Sequence, residues 1–416
     1  MRFHARVGTI VCALVAPLMF LGLGCAPANA HPPRSRPPVQ SVPTDNVKDF
    51  GAKGDGVTDD LNAINNAIAD AQTNHKVLFF PGGTYLHSGI ILFNGVVVLG
   101  SGASSVLYAT NSTGANAAVI LAGTNVSIQN IVISTAGLTG GSSVIGGSTF
   151  VVADAYQFTV KNNTFVQGAG RIGVLVQTSS TGTVTSCTCD GTGNSADWGA
   201  YVAQSSNVSI VGNLFQNEAI GLYAAPTGSK SIAVLSNTIG NVSFPTSTYG
   251  VLALGVSTLD IAQNTIQMVN SSNGAPIFVN GDDAFSVSEN NTYGGQIGVA
   301  IAGAGSSGNS VTQNTIHNCG VQGIATNNSA STAIQIASNQ FGECGMFASG
   351  PSLNNAVILV EGTDASGTTT FVQNNSYQGH LNGLTSKVTC TFTAPHIPAA
   401  NVTGNTQTQT VLNDHI

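Results

Sequence analysis

The stretch VSIVGNLF, Val208 to Phe215, is one unit of a repeat. Apolar residues stand at Val208 and Ile210, an asparagine follows at Asn213, and a further apolar residue comes at Phe215. The same pattern recurs as FTVKNNTF ending at Phe165, IAVLSNTI ending at Ile239, LDIAQNTI ending at Ile266 and IQIASNQF ending at Phe341. The asparagine falls at Asn163, Asn213, Asn237, Asn264, Asn290, Asn314 and Asn339, with steps of 24, 27, 26, 24 and 25 residues from Asn213 onward. Cys187 occupies the slot between Asn163 and Asn213. Weaker copies place Ile131 before the series, and Asn374 or Asn375, then Asn405, after it.

A second apolar strand precedes each unit: IGVLVQ, WGAYVA, IGLYAA, YGVLAL, IGVAIA and QGIATN. Strand, turn, strand and asparagine at intervals of about 25 residues signal a parallel β-helix. Each coil adds one strand to each long sheet, about 4.8 Å from the next. Alternate residues point inward and stack, and the asparagine slot bends the chain, where stacked amides can form a ladder.

Composition agrees with a solenoid. Charged residues are 7% of the 416, and the net charge is -7. Beyond residue 45, Arg171 is the only arginine. Nucleic acid demands a basic face, so it is excluded as a partner. Residues 1–30 read as a secretory signal, with basic MRFHAR, an apolar run and the small-x-small site ANA at Ala28 to Ala30. A lipid anchor at Cys25 is the alternative. Residues 31–45 are a Pro-rich linker, and 46–416 form the β-helix domain. No later stretch is long and apolar enough to span a bilayer. The protein is therefore expected outside the cytoplasm, extracellular or periplasmic.

An open solenoid end exposes its core and needs a cap. VKDFGAKGDGVTDD, Val47 to Asp60, followed by DDLNAINNAIADAQTNH, supplies one. Leu61, Ile64, Ile68 and Ala71 share a helical face, and Thr58 or Asp59 is the expected N-cap. The carboxylates of Asp49, Asp55, Asp59 and Asp60 are read as turn and cap architecture rather than a site.

Together with VLFFPGGTYL and VVVLGSG, this module over 46–101 resembles the N-terminal part of the pectate lyase superfamily. That grouping includes polygalacturonase-related and phage tailspike-like proteins. The resemblance implies an all-β fold, a single right-handed parallel β-helix with an N-terminal capping helix. It implies activity far less, because fold does not fix function. NGDDAFSV, with Asp282 and Asp283, resembles the Gly-Asp-Asp of polygalacturonases, yet the accompanying Asn-Thr-Asp, Gly-His-Gly and Arg-Ile-Lys do not occur. In that family the acids precede the groove strand, whereas here they follow PIFV. Adjacent carboxylates in a turn admit a calcium ion or plain solvation. No motif specifies a cofactor.

The family register points to three other residues. Arg171 and Asp197 lie two residues before Gly173 and Gly199, and Glu218 lies three before Gly221. Consecutive coils would bring them to one corner. A proton shared by Asp197 and Glu218 would raise one pKa for acid/base work, with Arg171 as charge partner. Trp198, Tyr201 and Tyr223 are expected to face outward as sugar-stacking surfaces, extended by Leu175, Leu252 and Phe278. The competing reading makes Arg171 and Asp197 a surface ion pair and the aromatic stripe a covered face. Cys319 and Cys344 each lie five residues after a repeat asparagine and are disulfide candidates, against two buried thiols. His317 and Glu343 nearby do not match a zinc spacing.

Two functions follow as expectations. One is a secreted protein that binds or cleaves a polysaccharide in a lateral groove, as a glycoside hydrolase or polysaccharide lyase. The other is a non-enzymatic surface or tailspike-like oligomer, so that the chain is a monomer or a homotrimer.

Overall fold

The structure, a computed structural model, describes residues 43–110, 118–139, 147–194, 197–218, 220–224, 228–242, 249–268, 274–281, 283–303, 308–320, 322–328, 334–342, 344, 358–362, 371–380, 392–393 and 402–410. Each coil contributes three strands. In one coil the first is Trp198–Ala203, the second Ser206–Val211 and the third Leu214–Gln216. Every strand pairs in parallel with its counterpart one coil away, so Trp198–Ala203 lies between Ile172–Gln177 and Ile220–Ala224. First and second strands belong to one 24-stranded sheet, and third strands to a 14-stranded sheet. The chain is an all-β parallel β-solenoid, and one α-helix occurs among the described residues.

The corner between second and third strands has a fixed construction. The residue before each ladder position adopts the left-handed conformation, with φ from 54° to 69° at Asn162, Ser186, Gly212, Ser236, Gln263, Glu289, Gln313, Ser338, Asn374 and Gly404. For residues other than glycine this costs of order 1 kcal/mol. The next residue offsets that cost. Each of Asn237, Asn264, Asn290, Asn314, Asn339, Asn375 and Asn405 accepts, through Oδ1, both the backbone N–H and the Nδ2–H of the ladder asparagine one coil earlier. The distances are 2.9–3.0 Å. Each Nδ2 also donates to a second-strand carbonyl, as from Asn264 to Val234 at 2.8 Å. Cys187 joins through its N–H, which donates to Asn213 Oδ1 at 2.9 Å. Asn375 is the ladder member, and Asn374 is the left-handed residue before it.

Inside the coils, like side chains stack. The third strands bury Phe165, Cys189, Phe215, Ile239, Ile266, Ile316 and Phe341 in one row. Cys319 and Cys344 are disulfide-bonded across adjacent coils with Cα atoms 4.4 Å apart. Cys187 and Cys189 are free and buried.

The N-terminal end is closed by the helix Leu61–Asn74, which buries Ile64, Ala67, Ile68 and Ala71. The expected N-cap is corrected. Asp60 holds the cap position without a side-chain cap bond. Its carboxylate is turned back instead, accepting the N–H groups of Lys53 (2.6 Å) and Gly54 (2.9 Å). Asp59 accepts the Leu61 N–H at 3.1 Å. Asp55 closes its own turn with the N–H groups of Thr58 and Val57 and the Thr58 hydroxyl, and these hold its pKa at about 2. The carboxylates of Asp55, Asp59 and Asp60 are thus architectural.

The ladder yields a quantitative expectation. Asn264→Ala removes the acceptor of the buried Asn237 N–H and of one Nδ2 hydrogen of Asn237, and the donor to the Val234 carbonyl, at about 1–3 kcal/mol for a group left unpaired. Urea unfolding should show a loss of about 3–5 kcal/mol. Asn405→Ala, at the half-buried end of the ladder, should cost about 1 kcal/mol. Equal losses at the two positions would contradict the ladder as the element that holds the coils in register.

Candidate functional site

A glycine recurs as the second residue of the first strands, with Pro276 in its place in Ala275–Asn280, and it decides which side chains face out. A Cβ at Gly250 would lie 2.3 Å from Ile266 Cγ2, and one at Gly298 2.3 Å from Ile316 Cγ2. At Gly173 it would meet Gly199 O at 2.5 Å. These glycines point inward, against a neighbouring third strand, and so do the residues that follow them, such as Val174, Ala200 and Val251, which belong to the core. The residues flanking each inward pair therefore face outward.

Two register rows result, half-exposed at Trp198, Tyr201, Tyr249, Leu252 and Phe278. Pairing aligns Ile172, Trp198, Ile220, Tyr249 and Ala275 in one, and Leu175, Tyr201, Tyr223, Leu252 and Phe278 in the other. Val151, Ile172 and Leu175 form a hydrophobic cluster separate from the core, with Trp198 and Tyr201 packed against it. Leu175 is fully buried there rather than exposed. Trp198 and Tyr201 stack with ring centroids 5.1 Å apart and planes 3° from parallel. Tyr249 and Phe278 form a second pair at 5.2 Å and 39°. All four rings are half-buried, so each keeps an exposed portion. Tyr223 stands between Tyr201 and Leu252 in register.

Arg171, Asp197 and Glu218 stack at one corner but do not open onto this face. All three are 0% exposed, which corrects the expectation of a solvent-facing acid/base pair. Arg171 donates to the carbonyls of Thr139 (3.0 Å) and Ser148 (2.8 Å). It forms no ion pair with Asp197; both ion pairs among the described residues belong to Lys76. Asp197 accepts the N–H groups of Gly170 (2.6 Å), Thr192 (2.8 Å) and Asn194 (2.9 Å) and the Thr192 hydroxyl (2.7 Å). Its carboxylate ties the segment after one third strand to the equivalent segment of the next coil.

Glu218 reaches across two coils to accept from Gln167 Nε2 at 2.5 Å. Gly191 makes room for it, since a Cβ there would lie 2.8 Å from Glu218 Oε2. Burial, then the charges of Asp197 and Asp190, push the Glu218 pKa well above the ordinary carboxylate range. Burial likewise pushes up the Cys189 thiol beside it. Arg171, Asp197 and Glu218 thus tie together the segments that lead into the first strands.

The remaining sites are dispersed. Asp282 lies outside the described residues, and Asp283 is exposed at the start of the second strand Asp283–Ser288. Among the described residues no group of three or more His, Cys, Asp or Glu is placed to hold a metal. Sequence reasoning missed Tyr249 and Gln167. Tyr249 carries the same x-Gly signal as Trp198 and was findable, but a glutamine within QGAG carries no periodic mark.

Glu218 gives a pH-dependent expectation. A carboxyl whose folded pKa is raised binds its proton more tightly folded than unfolded, so stability falls as pH rises above the unfolded value of about 4.3. The fall continues up to the folded pKa. Asp197, Asp190, Cys189 and Gln167 are the groups facing it. Glu218→Gln should flatten that part of the stability–pH curve and unfold at higher temperature than the parent at pH 8. A variant less stable than the parent at pH 8 would contradict a neutral buried acid.

Comparison with known proteins places this geometry. A family model described as rhamnogalacturonase A/epimerase, pectate lyase-like, matches residues 45–248. A second, periplasmic copper-binding protein (NosD), matches residues 190–355. A glucan 1,3-beta-glucosidase of Cochliobolus carbonum is 41% identical over 75 residues, 14% of this chain and 10% of that protein. The chain spans a tenth or less of the length of the curated relatives it matches. Among solved structures, the Azotobacter vinelandii mannuronan C-5 epimerase AlgE6 A-module has a TM-score of 0.55 at 15% identity, covering 87% of this chain and 99% of that one. The N-terminal fragment of bacteriophage Phi29 gene product 12 has a TM-score of 0.61 at 13% identity, covering 80% and 66%. At such identities the structures share the fold. With its capping module, its parallel coils and the family match over its first half, the chain belongs to the pectate-lyase-like β-helix proteins.

Proposed function

We propose that this protein binds a polysaccharide along the outer face of its first strands and acts outside the cytoplasm. The observation that carries the reading is the pair of outward rows with two ring pairs, Trp198 with Tyr201 and Tyr249 with Phe278. Flat half-exposed rings two coils apart offer apolar faces to sugar rings at two points of one chain, and tyrosine adds a hydroxyl for hydrogen bonding. The family model's description and the glucosidase relative point to carbohydrate as the ligand class.

Binding is better supported than cleavage. An acid/base mechanism with Asp197 and Glu218, assisted by Arg171, needs a substrate atom within hydrogen-bond reach. All three side chains are fully buried, and Asp197 is engaged by four donors. The first strands present rings instead.

Retardation in gels containing soluble polysaccharides tests this. The protein should be retarded by at least one polymer, and Trp198→Ala or Phe278→Ala should weaken retention roughly tenfold, about 1.4 kcal/mol, with unchanged circular dichroism. If neither substitution alters retention, the ligand lies elsewhere. If the protein is a tight trimer that Trp198→Ala dissociates, the rows are a subunit interface and the proposal fails.

A further inference from the structure

We infer that the polysaccharide bound on this face is a neutral one, an uncharged hexose polymer rather than a uronic-acid polymer. This rests on the carbohydrate-binding reading above and narrows it. The first strands from Ile172–Gln177 to Gln322–Asn328 contain no Asp, Glu, Lys, Arg or His. The segments that lead into them, from residue 135 to residue 321, contain three charged residues in sequence: Arg171, Asp197 and Glu218. Each of the three is buried. The cation a bound uronate would need is therefore absent from the strands and held inside the solenoid at Arg171, where it donates to the Thr139 and Ser148 carbonyls.

The remaining lysines among the described residues lie elsewhere. Lys48, Lys53 and Lys76 are in the N-terminal cap. Lys76 is held by Asp45 and Asp70. Lys161 and Lys230 belong to second-strand positions.

A uronate polymer carries a carboxylate on every sugar. Binding it requires charge-assisted hydrogen bonds, most often from Arg or Lys, because desolvating an anion against an uncharged apolar face is costly. A neutral sugar ring loses only weakly held water from its apolar face, and its hydroxyls stay at the solvent side. With a net charge of -7 the whole chain also repels a polyanion at long range. The two ring pairs are about two coils apart, roughly 10 Å at the spacing of parallel strands, so they engage an extended chain at two points across an uncharged surface.

The test is affinity electrophoresis of the full chain in gels holding a soluble neutral β-glucan, a galactomannan, polygalacturonate or alginate. Each is run with and without calcium and at low and high salt. The expected result is retardation by at least one neutral polymer, none by the two uronates, and no more than a twofold change between salt conditions. Retardation by a uronate equal to or above that by the neutral polymers, in either calcium condition, overturns the inference while leaving carbohydrate binding intact. So does neutral-polymer retention that falls tenfold at high salt. Retardation by none of the four overturns both the inference and the reading on which it rests. Trp198→Ala must reduce retention by the neutral polymer, and full retention in that variant also refutes the assignment.

Discussion

The amide hydrogen bond between ladder asparagines is the interaction on which the rest of this structure depends. A parallel solenoid needs every coil to turn at the same place, and the turn here requires a left-handed residue in each coil. Glycine fills that position at Gly212 and Gly404, but serine, glutamine, glutamate and asparagine fill it elsewhere. The strain at those residues is tolerated because the next side chain accepts two hydrogen bonds from the previous coil and donates to a carbonyl of its second strand. The ladder thereby fixes both the height and the rotation of each coil. Side-chain stacking inside and outside the coils follows from that registration.

The outward rows are a product of the same registration combined with a steric rule. The first strands carry glycine where a neighbouring third-strand side chain leaves no room for a Cβ. This inward pair shifts the alternation by one, so the residue before each glycine and the second residue after it both face out. Two rows rather than one are presented, and aromatic residues meet across them, Trp198 with Tyr201 within one strand and Tyr249 with Phe278 on adjacent strands. Where the chain enters these strands, the buried carboxylates of Asp197 and Glu218 and the Arg171 guanidinium shape the connecting segments. Charge is held inside at this corner and is absent from the first strands between Ile172 and Asn328.

Much of this was legible in the sequence. The Asn spacing gave the coil period, and the apolar alternation gave the inner rows, because both reflect short-range geometry repeated many times. The capping helix was legible through Ile64, Ile68 and Ala71, although its first turn was not. Asp60 is drawn backward by the N–H groups of Lys53 and Gly54, a preference set by the folded turn rather than by local helix propensity. The corner residues Arg171, Asp197 and Glu218 were correctly aligned by spacing, but spacing says nothing about whether a turn residue points in or out. That is decided by room, here by Gly191 beside Glu218 and by the donors of Thr192 and Asn194 around Asp197. The four rings were legible as outward residues once the glycine rule is known.

Trp198 is the single tryptophan of the chain and stands in the proposed binding face, stacked on Tyr201. Its fluorescence therefore reports on that face alone. Titration with a soluble neutral oligosaccharide should shift and change its emission saturably, with the same midpoint as retention in gels. Saturable binding measured calorimetrically with no change in Trp198 emission would contradict the account.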